Sequence, residues 1–295
     1  MAMTGERYEI SAGDYRAAVC QVGAALASLS WQNEAVTVPH LPDTLPPGSN
    51  GAVLMPWPNR IRGGAYRFDG RDQQLPLSEA IKGNASHGLV RWVRWEVADL
   101  RPDSVTLVHD LVPQTGYPFE LRFELRYLLE AGSGLAVHAR AINVGSRRAP
   151  FGAGFHPYLD LGDHDVDHAK LLLPADTVLV VDDGLIPVGR RPVATTPYDI
   201  RQLRALGTLR LDHGFTDLVS DRAVVDTGDR RTEIWWEPTF GTIQVFTPEP
   251  ARIGANAIAI EPMTCPANAF NSGESLLVLA PDQEWTGNWG IDVIS

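Results

Sequence analysis

The chain has 295 residues, 44% of them hydrophobic and 21% charged, an ordinary globular mixture that argues against a disordered chain. Its 25 basic and 36 acidic residues leave a net charge of −11, and an acidic surface of this kind disfavours both nucleic-acid and membrane partners. Residues 1–15 hold no apolar stretch of signal-peptide length and no run approaches the ~20 apolar residues of a membrane span, so the expected location is cytoplasmic, with Cys20 and Cys265 reduced and buried.

In chain order, short strand-like runs recur at residues 104–110, 121–127, 135–143, 232–236, 242–246 and 275–279. Residues 121–127 read Leu-Arg-Phe-Glu-Leu-Arg-Tyr, the strict alternation of a half-buried antiparallel strand. The 27 glycines and 22 prolines punctuate these runs. Turns are expected at Pro102-Asp103, at residues 131–134 and at residues 226–229. The one helical candidate is residues 199–206, with Asp199 near its start. No repeat, low-complexity tract or linker divides the chain. The reading is one all-β domain over residues 1–295, a large antiparallel sandwich with few short helices.

Four segments place polar groups in apolar, turn-rich settings. Residues 56–64, Pro-Trp-Pro-Asn-Arg-Ile-Arg-Gly-Gly, hold an arginine on a stiff loop, where it could serve a sugar hydroxyl or a surface ion pair. His87 precedes a glycine and is followed by Trp92 and Trp95, as in a sugar pocket or in a loop over a core. His156 sits in Phe-Gly-Ala-Gly-Phe-His-Pro-Tyr and suits either a proton-transfer group or a satisfied core histidine. Glu261 ends the apolar run Ile-Ala-Ile, where burial would raise its pKa towards that of a general base; turn amides holding a strand-end carboxylate are the alternative. Residues 163–168, Asp-His-Asp-Val-Asp-His, have metal-ligand residue types without a recognised spacing and read as a solvated loop, so no metal site is expected. Walker, dinucleotide and nucleophile-elbow spacings are absent, and no cofactor is expected.

Taken in order, these segments resemble the aldose 1-epimerase, or galactose mutarotase, family. The resemblance rests on Asn59-Arg60-Ile61, Ser86-His87-Gly88-Leu89, Gly154-Phe155-His156-Pro157-Tyr158, Pro174-Ala175-Asp176, residues 181–189, Phe215-Thr216-Asp217 and Glu261-Pro262. The segment after Glu261, Met263-Thr264-Cys265-Pro266-Ala267-Asn268-Ala269-Phe270, is more similar to a bacterial branch that includes sulfoquinovose mutarotase-like proteins. The resemblance implies the family's galactose mutarotase-like supersandwich and an isomerase acting on a monosaccharide, as a monomer or homodimer. It implies Glu261 as base and His156 as acid, with His87, Arg60, Asn59 and Asp217 binding the sugar and Trp57 stacking on it. Opening the hemiacetal would then need Glu261 ionised and His156 protonated, one on each side of the sugar. A hexose-phosphate epimerase, with Arg62 or Arg91 in a phosphate pocket, and a non-catalytic carbohydrate-binding protein are the alternatives.

Overall fold

A computed structural model describes residues 2–294. Alternating side chains set its architecture. In the strand Leu121–Glu130 every second residue is buried and its neighbours face outward. This strand lies within a nine-stranded antiparallel sheet that runs, edge to edge, Glu96–Leu100, Ser104–Leu111, Leu121–Glu130, Gly134–Asn143, Glu284–Ile294, Arg231–Trp236, Arg222–Asp226, Lys170–Leu172 and Arg204–Ala205.

An eight-stranded sheet contains, in order, Pro187–Pro192, Ala175–Val181, Asp212–Leu218, Thr242–Phe246, Ala257–Met263, Gly154–Phe155 and Val53–Leu54, with Tyr158–Asp160 also paired to Ala257–Met263. A four-stranded sheet covers residues 7–35. The fold is a large antiparallel β-sandwich. Its core joins inward residues of both large sheets, among them Phe123, Val137 and Ile291 from one and Phe155, Ile243, Val245 and Ile260 from the other. Phe155 packs on Trp289 at 5.0 Å and Phe240 at 6.1 Å, which ties the strand before His156 to the opposite sheet.

Of the predicted runs, 275–279 is strand only over Leu277–Leu279. Residues 199–206 are not helical. Leu173 donates its N–H to the Ile200 carbonyl, Arg204–Ala205 pairs with Lys170–Leu172, and Arg201 turns back onto Asp199. Eight residues cannot sustain a helix against such competition, and burying Ile200 and Leu206 against the sheet decides the conformation. The α-helices among the described residues are the four-residue Pro250–Ile253 and Ala269–Ser272. In the stretch 163–168, His164 pairs with Asp229 at 2.8 Å and Asp167 with Arg210 at 2.6 Å. Cys20 and Cys265 are buried and unbridged. No helix among the described residues is long and apolar enough to cross a membrane.

Phe155 is 1% exposed between two aromatic side chains, so Phe155→Ala should destabilise the protein by about 3–5 kcal/mol. The denaturant midpoint should fall accordingly; an unchanged midpoint would detach Phe155 from the core.

Candidate active site

The outward face of the eight-stranded sheet forms the floor of a polar cavity of about 170 Å³. Strand alternation explains which residues reach it. In Thr242–Phe246, Ile243 and Val245 enter the core while Gln244 and Phe246 line the cavity. In Ala257–Met263, Ile260 enters the core and Glu261 lines the cavity, paired in register with Gln244. Phe155 faces the core and His156, the next residue, faces the cavity.

His156 and Glu261 meet here, with Nε2 and Oε1 3.4 Å apart and their side chains 6% and 3% exposed. Backbone bonds fix His156: its N–H donates to Ala52 and its carbonyl accepts from Gly51. Tyr158 stacks on the imidazole at 4.8 Å, and its hydroxyl donates to the Gly48 carbonyl. Burial, reinforced by the positive charge of Arg91, pushes the His156 pKa down. Burial, with Asp212 adding to it and Arg60 opposing, pushes Glu261 well above the usual carboxylate range. Desolvation penalises whichever form is charged, so the two shifts share one cause and both favour the neutral pair. His156 Nδ1, His87 Nδ1 and Glu261 Oε2 are buried without a protein hydrogen-bond partner.

The wall opposite is built from the loop before Arg60–Arg62 and from the end of Asn84–Ser86, two strands paired with each other. His87 and Asn59 both have positive φ, 62° and 52°, a conformation costly for residues other than glycine. Two contacts hold it: the His87 N–H donates to the Asn59 carbonyl at 2.8 Å, and the Leu89 N–H donates to Met55 at 2.8 Å. Gly88 between them is required by space, since a Cβ there would sit 2.0 Å from the Met55 carbonyl oxygen. The His87 ring meets His156 edge-on at 5.6 Å, and burial, then Arg91, lowers its pKa well below the ordinary value. Burial therefore favours the neutral imidazole at His87.

Arg60 is 11% exposed and forked onto Glu79, with Nε and Nη2 at 2.8 and 3.0 Å from the two carboxylate oxygens, while Nη1 donates to Asn59 Oδ1. Arg91 donates to Ser49 Oγ and the Ser86 carbonyl. Arg252, on Pro250–Ile253, lies over the Phe246 ring at 5.0 Å and lines the same cavity.

Two expected contacts fall elsewhere. Asp217 is exposed and does not line the cavity; Asp212 does, and accepts a 2.7 Å hydrogen bond from Gln244. Asp217 has a positive φ of 54°, which breaks the strand's alternation there and turns its side chain out to solvent instead of inward beside Phe215. Trp57 is 2% exposed and packed against Phe270 and Tyr117 inside the core, so the aromatic rings at the cavity are Tyr158 and Phe246. Arg62 is half-exposed and paired with Asp182. His156 and Glu261 stand side by side rather than across the cavity. Sequence reasoning passed over Asp212, Gln244, Glu79 and Arg252. Gln244, a polar residue between Ile243 and Val245, carried the signal of a strand whose second face is a site.

A polar cleft on a β-sandwich, with a buried histidine–carboxylate pair at its base, defines an acid–base enzyme acting on a hydroxyl-rich small molecule. The chain belongs to the aldose 1-epimerase family, whose family model matches residues 6–291. It is 36% identical over 287 residues to the uncharacterized protein YihR of Escherichia coli (strain K12), covering 95% of this chain and 90% of that one. It is 31% identical over 173 residues to human galactose mutarotase, covering 53% and 46% of the two chains. A GalM/aldose epimerase homologue from C. elegans superposes with a TM-score of 0.86 at 20% identity over 98% of each chain, and galactose 1-epimerase from Lactobacillus acidophilus with 0.81 at 19% identity over 97% and 93%; at such identities the likeness is one of fold.

Substituting each aspartate separates them. Asp212→Asn should raise KM for the sugar about tenfold, the loss of one charge-assisted hydrogen bond, while Asp217→Asn leaves KM unchanged. The reverse ranking in steady-state kinetics would return the contact to Asp217.

Proposed function

We propose that the protein interconverts the α and β anomers of a hexose by opening and reclosing its ring, with Glu261 and His156 as the proton-transfer groups. The observation that carries this reading is their 3.4 Å contact in a buried, otherwise polar cavity. Opening a hemiacetal moves two protons and no electrons. Glu261 takes the proton of the C1 hydroxyl, and His156 gives one to the ring oxygen. Both oxygens are bonded to C1, so adjacent acid and base reach them from one side of the sugar. After rotation about C1–C2 the same two transfers run backwards and close the ring on the other face. His87, Asn59, Arg60 and Asp212 hold the sugar while C1 turns. Proton transfer by positioned side chains contributes ~10²–10⁴-fold to such a step.

The cavity's charges support a particular kind of sugar. Arg60 is matched by Glu79, whereas Arg91 and Arg252 make no ion pair among the described residues. Burial lowers the Arg91 pKa to about 10, with Glu79 opposing. Arg91 is half-buried and Arg252 exposed at the rim; a partly desolvated cation such as Arg91 without a counter-charge is costly, and an anionic group on the ligand would relieve it. Arg91 and Arg252 also share a wall, because the turn Pro47–Ser49 that receives Arg91 packs on Pro250–Ile253. The reading is a hexose whose exocyclic end bears an anionic substituent.

Glu261→Gln should abolish anomer exchange, followed by polarimetry, while sugar binding persists; exchange near the wild-type rate would remove Glu261 from the mechanism. Because burial favours the neutral pair, the one-proton form should span neutrality, and kcat/KM should show no inflection near the ordinary histidine value across about pH 5–8. A fall in activity centred near 6.5 would mean that His156 titrates as an exposed imidazole. Across a panel of neutral hexoses and hexoses bearing phosphate, carboxylate or sulfonate, an acidic member should be preferred at least ~tenfold in kcat/KM, with Arg91→Met erasing the preference. Preference for a neutral sugar would overturn the anionic reading and leave the mutarotase reading standing.

A further inference from the structure

We propose that Glu79 is a positioning residue of the reaction, one that fixes the orientation of the Arg60 guanidinium and cancels its charge at the Glu261 carboxylate. The inference rests on the mutarotase reading and concerns a carboxylate that the proton transfers do not use.

The geometry is that of a built clamp. Both Glu79 oxygens engage Arg60, Oε2 to Nε at 2.8 Å and Oε1 to Nη2 at 3.0 Å. Such a bidentate fork fixes the guanidinium plane as well as its position. Asn59 Oδ1 takes a third N–H at 3.0 Å. A guanidinium has five N–H groups, so one on each terminal nitrogen is left for a ligand. The backbone of Glu79 is anchored in turn: its N–H donates to the Asn84 carbonyl and its carbonyl accepts from the Asn84 N–H. Asn84 Nδ2 holds the Gly184 carbonyl at 3.0 Å and reaches Glu79 Oε2 at 3.5 Å. The clamp is thus braced against a distant loop of the chain.

Arg60 is the cation that lowers the Glu261 pKa, against burial and Asp212. The other charged and titratable groups around the His156–Glu261 pair are His87, Tyr158, Arg91 and Arg252. Glu79 itself faces Arg60, Asn84 and, through space, Arg91. Removing its charge leaves Arg60 uncompensated, and an uncompensated cation stabilises ionised Glu261. The last proton of the pair then leaves at lower pH, and the alkaline edge of activity moves down. Loss of the fork also frees the guanidinium to turn, which weakens its hold on the sugar.

The experiment measures kcat, KM and the pH profile of anomer exchange for wild type, Glu79→Gln and Glu79→Asp, with thermal melting of each. Glu79→Gln should raise KM about tenfold and lower the alkaline edge by about one pH unit, the scale of a nearby charge. Glu79→Asp keeps the charge but is too short for the same fork, so its alkaline edge should stay at the wild-type value while KM remains raised. This split separates charge from positioning. A Glu79→Gln protein with the wild-type KM and pH profile overturns the proposal. So does one that only melts earlier, since a purely structural ion pair would alter stability and leave the profile in place; if Glu79→Gln fails to fold, a Glu79→Asp enzyme with wild-type KM overturns it. A wild-type protein inactive on every sugar of the panel would overturn the mutarotase reading itself and this one with it.

Discussion

Burial of the His156–Glu261 pair constrains the rest of the site. An imidazolium and a carboxylate in contact would attract strongly in a dry interior, yet removing both charges from water costs several kcal/mol per ion, and the attraction repays that cost only with good geometry and further hydrogen bonds. Here the contact is 3.4 Å, and Glu261 Oε2 and His156 Nδ1 have no protein partner. The balance therefore falls towards neutral histidine and protonated glutamic acid. That sets the task of the surrounding charges. Arg60 draws Glu261 back towards ionisation, Asp212 opposes it, and Arg91 with Arg252 holds His156 neutral. A bound anionic group near these last two arginines would lift their effect and ease protonation of His156.

Core and chemistry are two faces of the same strands. Ile260 and Glu261 are successive residues, as are Phe155 and His156, and Gln244 lies between Ile243 and Val245. The aromatic packing of Phe155 on Trp289 and Phe240 thus fixes the backbone that aims His156. The polar groups of the opposite wall come instead from loops held in strained conformations, with His87 and Asn59 at positive φ and each supplying half of a backbone hydrogen bond. On the proposed mechanism, rigid strands carry the groups that move protons and over-determined loops carry those that grip.

This division explains what could be read from the sequence. Period-two alternation is local, so residues 121–127 and 242–246 were legible as strands, and His156 and Glu261 stood out as candidates because both sit where an apolar run meets a polar residue. That Asp212 and not Asp217 lines the cavity could not be read locally: Asp212 lies opposite in parity to inward-facing Phe215, but the positive φ that turns Asp217 out to solvent and the edge of the cavity are tertiary facts. The core position of Trp57 was hidden in the same way, since a tryptophan beside two prolines looks alike whether it stacks on a sugar or packs against Phe270. Residues 199–206 carry a helix-like start, yet pairing with a strand some thirty residues earlier outweighs it. Glu79 left no local signal, because its meaning lies in Arg60, nineteen residues away in sequence.

The reversibility of mutarotation gives the neutral pair a mechanistic use. In the proposed mechanism ring opening begins with Glu261 ionised and His156 protonated and ends with both neutral, because each transfer removes a charge. The enzyme's own preference for the neutral pair therefore favours the ring-opened stage, the one that free sugars disfavour. Closure regenerates the charged pair, and the cavity's cations and Asp212 must keep that state within reach. A pair with its proton fixed firmly on either partner would stall half of the cycle. Direct contact between Nε2 and Oε1 lets a proton pass between them in the empty site, so the neutral resting pair can reach the charged starting state without opening the site to bulk water. Catalysis of a reaction that is its own reverse thus calls for near-balance between two protonation states, and the opposing charges of Arg60 and Asp212 on Glu261 provide the means to set it.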